Sequence, residues 1–208
     1  MKRFLLIPRS FVITLLIANL FFISATFSQV TKTWVPTTGG LWTTAGNWNP
    51  SGVPGTNDSV VIATNQTNPI TAVGTADGQV VSVRALTING NCNLQSNAGS
   101  ANMSTINITG TLTVAAGRTL TCGLDDAGRL DITLAAGGKG FITGTIYMHS
   151  YSSSGYDRTA WMNGDVTIAG TGLITGQNTS RFVLGATGTL RIANTGGITT
   201  SGATGAIQ

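Results

Sequence analysis

Short runs of alternating aliphatic and polar residues recur along this chain, and they constrain its fold more than any other feature. The runs lie at 81–83, 86–88, 106–114, 130–134, 141–146, 166–173, 182–184 and 190–192. Glycine or asparagine separates most of them, which allows tight corners between runs. Alternation of this kind predicts short β-strands with one buried face and one solvated face.

The spacing of the runs points to a solenoid. The interval from Leu86 to Ile106 is 20 residues, and the intervals from Ile106 to Leu130 and from Val166 to Leu190 are both 24 residues. A strand repeated every 20 to 25 residues predicts an all-β, right-handed parallel β-helix in which like residues stack from coil to coil. An antiparallel β-sandwich also uses short strands, and it is the alternative.

Residues 1–28 have the pattern of a secretory signal peptide. Lys2, Arg3 and Arg9 precede an apolar run over 11–25, and small residues lie near the expected cleavage point after Ser28. A membrane-spanning helix needs about 20 apolar residues, more than this run provides. Without these residues, 8 basic side chains face 7 aspartates. The remaining chain therefore lacks a nucleic-acid-binding charge pattern, and no membrane contact is expected after cleavage.

A tryptophan-rich segment precedes the repeats. Trp34, Trp42 and Trp48 lie among glycine, threonine and asparagine residues. We interpret 29–79 as a cap and a first irregular coil, with the β-helix proper over 80–208. In this interpretation the indoles cover the open end of the first coil, although a carbohydrate-stacking surface is a second interpretation.

The same segment carries a resemblance to a known group of proteins. Its key positions, followed by Leu86-Thr-Ile88, are Trp34, Gly39-Gly40-Leu41-Trp42, Asn47-Trp48, Gly52-Val-Pro54 and Asp58-Ser-Val60-Val-Ile62. The pattern resembles the start of secreted, adhesin-like, repetitive β-helix proteins of Bacteroidota. That resemblance implies display at the outer cell surface, type IX secretion and further modules of a longer chain. Asp58-Ser59-Val60 also resembles the short O-glycosylation motif of that phylum.

An aromatic-rich stretch at 147–163 interrupts the repeats and predicts a side loop. It supplies Tyr147, His149, Tyr151, Tyr156, Asp157, Arg158 and Trp161. Aromatic faces combined with a few polar groups are typical of ligand sites, so we expect these residues to bind a polysaccharide or surface glycan. In the alternative interpretation the aromatics pack back onto the coil and Asp157 and Arg158 form a solvated pair.

A small acidic cluster is the feature of the sequence that would suit catalysis. Asp125, Asp126 and Asp131 cluster near Arg129, which would suit a pectate-lyase-like polysaccharide lyase or a glycoside hydrolase with a site on the 125–139 face. However, Asp125 and Asp126 lie in a turn-like sequence where aspartate is common. The chain has one histidine and no glutamate. We therefore expect a structural module with no catalytic residues, metal or cofactor, and keep the enzyme as the alternative.

The two cysteines, Cys92 and Cys122, share strand parity with neighbouring leucines. Both should then point inward, as a pair of buried thiols or as a disulfide. The sequence from 201 to 208 is still repeat-like and shows no recognisable cap, so we expect the repeats to continue in a longer chain.

Overall fold

The computed structural model describes residues 29–96, 103–123, 128–149, 158–177, 180–195, 197–200 and 206–207. The predicted signal peptide lies outside these residues. The strands are β1 (Thr31–Trp34), β2 (Gly40–Leu41), β3 (Trp48–Asn49), β4 (Ser59–Ile62), β5 (Ile70–Thr71), β6 (Val80–Ile88), β7 (Cys92–Leu94), β8 (Ser104–Val114), β9 (Thr119–Cys122), β10 (Leu130–Leu134), β11 (Lys139–Ile142), β12 (Thr145–Met148), β13 (Thr159–Met162), β14 (Asp165–Ile168), β15 (Leu173–Gly176), β16 (Arg181–Leu184), β17 (Thr189–Ile192), β18 (Gly197–Thr200) and β19 (Ala206–Ile207). The only helical turn in the described chain is a 3-10 turn at Ala45–Asn47.

The strands stack into three columns, which we call faces. The first face holds 80–83 of β6, 104–108 of β8, β10, β13, β16 and β19. The second holds β1, β4, 85–88 of β6, 111–114 of β8, β11, β14 and β17. The third holds β2, β5, β7, β9, β12, β15 and β18.

The pairing within each face is parallel, and among the described strands only the short β3 runs antiparallel to its partner, β1. The chain passes from first to second to third face and repeats, giving about six turns of a right-handed parallel β-helix. The predicted fold class is confirmed, and the antiparallel sandwich is excluded because neighbouring strands belong to successive coils.

The core is a set of aliphatic columns that run along the helix axis. On the second face, Ile62 lies under Ile88, and the column continues through Val114, Ile142, Ile168 and Ile192. Inward side chains alternate with outward ones along the strands. In β12 and β14, for example, every second residue is buried and the residues between are partly exposed. Identical or similar residues stack because each coil places them at the same point of its circuit.

The coil length differs from the predicted period. Residue numbers in the Ile62 column rise by 24 to 28 from one rung to the next. Leu86 and Ile106 lie on different faces, because Leu86 pairs with Leu112 and Ile106 pairs with Val81. The 20-residue interval between them is therefore not the length of one coil. Parallel stacking also begins earlier than Val80, since β1 and β4 already pair within 29–79.

The three indoles lie together at the start of the solenoid. Trp34, Trp42 and Trp48 are each at most 2% exposed. Trp48 makes edge-to-face contacts with both others, with ring centroids 4.9 Å and 4.7 Å apart. The Trp34 indole N–H donates to Gln66 Oε1, and that of Trp48 donates to the Trp42 carbonyl. Their ring faces contact one another and the core, so they do not form an exposed stacking surface.

Candidate functional site

The third-face strands end, and the first-face strands of the next coil begin, at one corner of the solenoid, which we call the loop corner. In successive coils the connections between these strands span 72–79, 95–103, 123–129, 149–158 and 177–180. They vary in length, whereas the strands that they join keep their register. Variable connections on a regular scaffold are the usual place for binding residues in a solenoid.

Buried polar side chains underlie the loop corner. Arg129, Asp131 and Arg158 are each at most 4% exposed, although each carries an ionisable side chain. The Asp131 carboxylate accepts a hydrogen bond from the Thr159 backbone N–H at 2.8 Å, which joins two successive coils. A charge buried this deeply has to be paired or hydrogen-bonded. From the sequence, Arg129 and Asp131 belonged to the lyase-like alternative, and Arg158 belonged to the ligand-binding loop or a solvated pair; the burial of all three was not predicted.

The chain is packed closely around the Arg158 guanidinium. A Cβ added at Gly123 would lie 3.0 Å from Arg158 Nε, and one added at Gly128 would lie 3.0 Å from the Gln95 side chain. Residues from three successive coils therefore meet at the base of the corner. Arg158, predicted as a polar ligand-binding residue, is buried at the base of the loop corner.

The predicted side loop is shorter than its sequence suggested. Tyr147 belongs to β12 on the third face and Trp161 to β13 on the first face, so the connection between these strands is only 149–158. The Tyr147 hydroxyl donates to Gln177 Oε1 at 3.0 Å, and its ring centroid lies 6.1 Å from that of His149. Tyr151, Tyr156 and Asp157 lie outside the described residues. The structure thus divides the described candidates between two faces.

Among the described aromatics of the predicted set, Trp161 is the most exposed, at 41%. It projects outward from the first face in a column with Asn107, Thr133 and Val183. Adjacent strands of a sheet are about 4.8 Å apart, so the amide, the hydroxyl and the indole are evenly spaced along the first face.

The described residues of the alternative, lyase-like site also lie on different faces. Asp131 is on the first face and buried, whereas Lys139 is on the second face and pairs with Asp165 at 2.6 Å. These two residues therefore do not share one face, as the 125–139 hypothesis required. Asp125 and Asp126 lie outside the described residues. Among the residues that the structure describes, no three histidine, cysteine, aspartate or glutamate side chains group as a metal site.

The two cysteines occupy adjacent coils of the third face. Cys92 pairs with Leu120 and Cys122 with Leu94, so the thiols are two positions out of register. Both are free and buried. Burial raises the pKa of the Cys92 thiol to about 12. Burial, the neighbouring Cys92 and Asp131 raise the pKa of Cys122, against an opposing effect of Arg158. These thiols have the properties of core residues rather than of nucleophiles.

In the described part of the chain, no helix has the length and apolar character required to cross a bilayer. Comparison with protein-family models, with curated proteins and with solved structures gave no match.

Proposed function

We propose that this chain is a non-catalytic, adhesin-like structural module of a secreted or cell-surface protein, and that its first face binds glycans around Trp161. The single observation that carries the proposal is the outward column of Asn107, Thr133, Trp161 and Val183 on a regular parallel sheet. The leader-like sequence at 1–28 and the resemblance of the tryptophan segment to Bacteroidota surface proteins support its location.

The column suits a sugar for chemical reasons. A sugar ring has an apolar C–H surface and a rim of hydroxyls. The exposed indole of Trp161 provides a large flat surface for the apolar C–H surface of the sugar. Thr133 and Asn107 on the neighbouring strands provide hydrogen-bonding groups for its hydroxyls. Because the strands are fixed by pairing on both sides, the backbone that carries these side chains needs no reordering when a ligand binds.

The remaining described candidates have supporting roles. Tyr147 is held on the third face by its hydrogen bond to Gln177, on the opposite side of the loop corner from Trp161. Arg158 is 1% exposed and fixes the end of the connection that leads into β13. The proposed site therefore consists of the first-face column of Asn107, Thr133, Trp161 and Val183.

A glycan array with the wild-type protein and Trp161→Ala tests the proposal. We expect wild-type binding to at least one neutral or acidic glycan, and a loss of at least about tenfold in affinity for Trp161→Ala, since aromatic anchors dominate such sites. Phe141→Ala is the matched control, because Phe141 is a similarly exposed aromatic on the second face. It should bind as the wild type does.

Two results would contradict the proposal. Equal binding by Trp161→Ala and wild type would remove the first-face site. Release of unsaturated products or new reducing ends from the bound glycans, with or without Ca²⁺, would instead support the polysaccharide lyase or hydrolase alternative.

A further inference from the structure

The first face lacks a rung at its beginning. On one side, residues 80–83 of β6 pair with β8. On the other side, β4 pairs with β6 only from Ala85 onward, so within the described chain no strand borders 80–83 on the side of the tryptophan cap. The run Val80-Val81-Ser82-Val83 has strong β-propensity and no charge or proline, which leaves its open edge without the usual protection.

The backbone groups of this edge point toward the cap. Arg84 N–H donates to the Asp58 carbonyl on the cap side at 2.9 Å, whereas Thr105 N–H donates to the Gln79 carbonyl on the β8 side. Because successive residues of a strand direct their N–H and C=O groups to opposite sides, those of Ser82 and Val80 point in the same direction as those of Arg84. In the described chain no backbone group bonds to Ser82 or Val80 on that side.

A cavity of about 270 Å³ adjoins the open edge. Val80, Val81 and Ser82 line it from β6, Val53 lines it from the cap segment, and Trp42 is also in its wall. The Trp42 indole N–H is buried and has no hydrogen-bond partner, unlike those of Trp34 and Trp48. None of the lining residues is charged. The cavity thus lies beside an unpaired strand edge and against the Trp42 ring, whose buried N–H is unsatisfied.

We infer that this cavity accepts an extended, uncharged peptide segment, which adds as a short strand to the cap-side edge of β6. Strand rise, strand spacing and the distance between sheets give roughly 160 Å³ for each residue of a strand, so the cavity holds about two residues. Strands β2, β3 and β5 in the same region are also two residues long.

The lining sets the chemistry of the segment. Its backbone N–H and C=O groups would pair with those of Ser82, as in other cases of strand addition. An inward side chain with an oxygen atom, such as threonine or asparagine, would accept the Trp42 N–H. A charged side chain would lose its hydration without finding a counterion in the cavity.

Amide and indole NMR of the full chain with a synthetic probe, acetyl-Lys-Thr-Val-Thr-Val-Lys-amide, tests the inference. The uncharged central residues of the probe match the two-residue cavity, and the terminal lysines remain outside it and keep the peptide soluble. We expect saturable shifts of the Ser82 amide and the Trp42 indole N–H. The same peptide with N-methylated central amides should bind at least tenfold more weakly, because it cannot donate to the edge. Trp161→Ala should bind the probe as the wild type does, which separates this site from the glycan site.

Two variants test the edge from the protein side. Ser82→Pro removes an N–H that faces the cavity and leaves the bonds to β8 intact, a position where proline is tolerated. Val80→Lys places a charge on a residue that is 57% exposed, so folding should be unaffected. Both should weaken probe binding at least tenfold, and Val35→Lys, an equally exposed cap residue outside the cavity lining, should not.

Three results would overturn the inference. Equal binding of the N-methylated probe would show that backbone pairing is not involved. Unchanged binding by Val80→Lys would place the probe elsewhere. Shifts of Ser82 and Trp42 with neutral monosaccharides but not with the probe would assign the cavity to a sugar ring.

Discussion

Glycines at the corner between the second and third faces let successive coils approach closely. Gly90, Gly144 and Gly172 occupy this corner in three coils. A Cβ at Gly144 would overlap the carbonyl oxygens of Ala115 and Arg118 in the preceding coil. These oxygens are backbone atoms, so they cannot move without disturbing the coil below. The absence of a side chain at this corner is therefore a packing requirement.

We predict that Gly144→Ala lowers the free energy of unfolding by about 3 kcal/mol, the upper range for an overpacked site. Gly46→Ala is the control, because nothing lies within 4 Å of its added Cβ. Chemical denaturation of both variants measures the difference. A Gly144→Ala protein as stable as the Gly46→Ala protein would show that the corner has space that the structure does not indicate.

The two buried thiols give the protein a predictable loss of stability at high pH. Burial raises the pKa of Cys92 from 9.0 to about 12 and raises that of Cys122 as well. In the folded state both thiols remain protonated above pH 9, where the unfolded chain releases its protons. Their stabilising effect is complete below about pH 9 and is lost as pH rises toward the folded pKa values.

We therefore expect the free energy of unfolding to fall above about pH 9 by about 1.4 kcal/mol per thiol for each pH unit. The double variant Cys92→Ala, Cys122→Ala should show a shallower slope over the same range. Urea unfolding between about pH 8 and about pH 10.5 provides the comparison. Parallel slopes for the two proteins would contradict the burial of the thiols.

At the scale of the strands, the outward positions are where neighbouring coils interact through polar side chains. Lys139 on β11 lies directly beside Asp165 on β14, and the ammonium and carboxylate are 2.6 Å apart. The hydrogen bond from Lys139 holds the pKa of Asp165 below its usual range, with smaller contributions from Thr189 and Arg191. Both side chains are solvent-accessible, so the pair contributes little to stability.

For Lys139→Ala we predict a rise in the Asp165 pKa toward the ordinary carboxyl value and an unchanged thermal midpoint near neutral pH. The lowered pKa means that any stabilisation by the pair is present above the ordinary carboxyl pKa and disappears as pH falls through the folded value. Carbon-13 NMR of the carboxyl group measures the shift. Arg191 contributes least to the lowered pKa of Asp165, so Arg191→Ala should change that pKa less than Lys139→Ala does.

The individual strands were predictable because each carries its own alternation, but their assignment to faces was not. Leu86 and Ile106 both begin aliphatic runs, and only the pairing shows that they lie on different faces. The stretch from Tyr147 to Trp161 was predicted as a side loop, although its two ends belong to strands β12 and β13. Large aromatics at outward strand positions interrupt the usual threonine pattern, although β12 and β13 keep their inward residues Ile146, Ala160 and Met162.

The candidate site was predictable only in part. Trp161 is recognisable as an unusual aromatic in a threonine-rich chain, and its exposure supports that reading. The burial of Arg129, Asp131 and Arg158 was not predictable, because nothing in their local sequence distinguishes a supporting charge from a solvated one. The open edge at 80–83 depends on where β4 ends its pairing, which is a tertiary property.

At the scale of the whole molecule, each coil contacts mainly the coils before and after it. The free energy of unfolding is therefore close to a sum of contributions from single coils and from the contacts between adjacent coils. The two ends of the described solenoid differ. Trp34, Trp42 and Trp48 are buried at the start, whereas Ile192 at the other end of the second-face column is 50% exposed. The indoles therefore determine how well the first coil is protected from local opening.

We predict that Trp48→Ala opens the first coil without unfolding the rest. Trp48 contacts both other indoles, pairs with Trp34 across β1 and β3, and donates to the Trp42 carbonyl. Loss of a buried tryptophan costs about 3–5 kcal/mol. Because coupling in a solenoid extends mainly to adjacent coils, hydrogen exchange should accelerate in β1, β2 and β3 and remain slow in β14 and β15.

Trp161→Ala, which removes an exposed tryptophan on the first face, is the control and should leave exchange in both regions unchanged. Uniform acceleration along the whole chain would instead show that the solenoid unfolds as one cooperative unit and that the cap stabilises every coil.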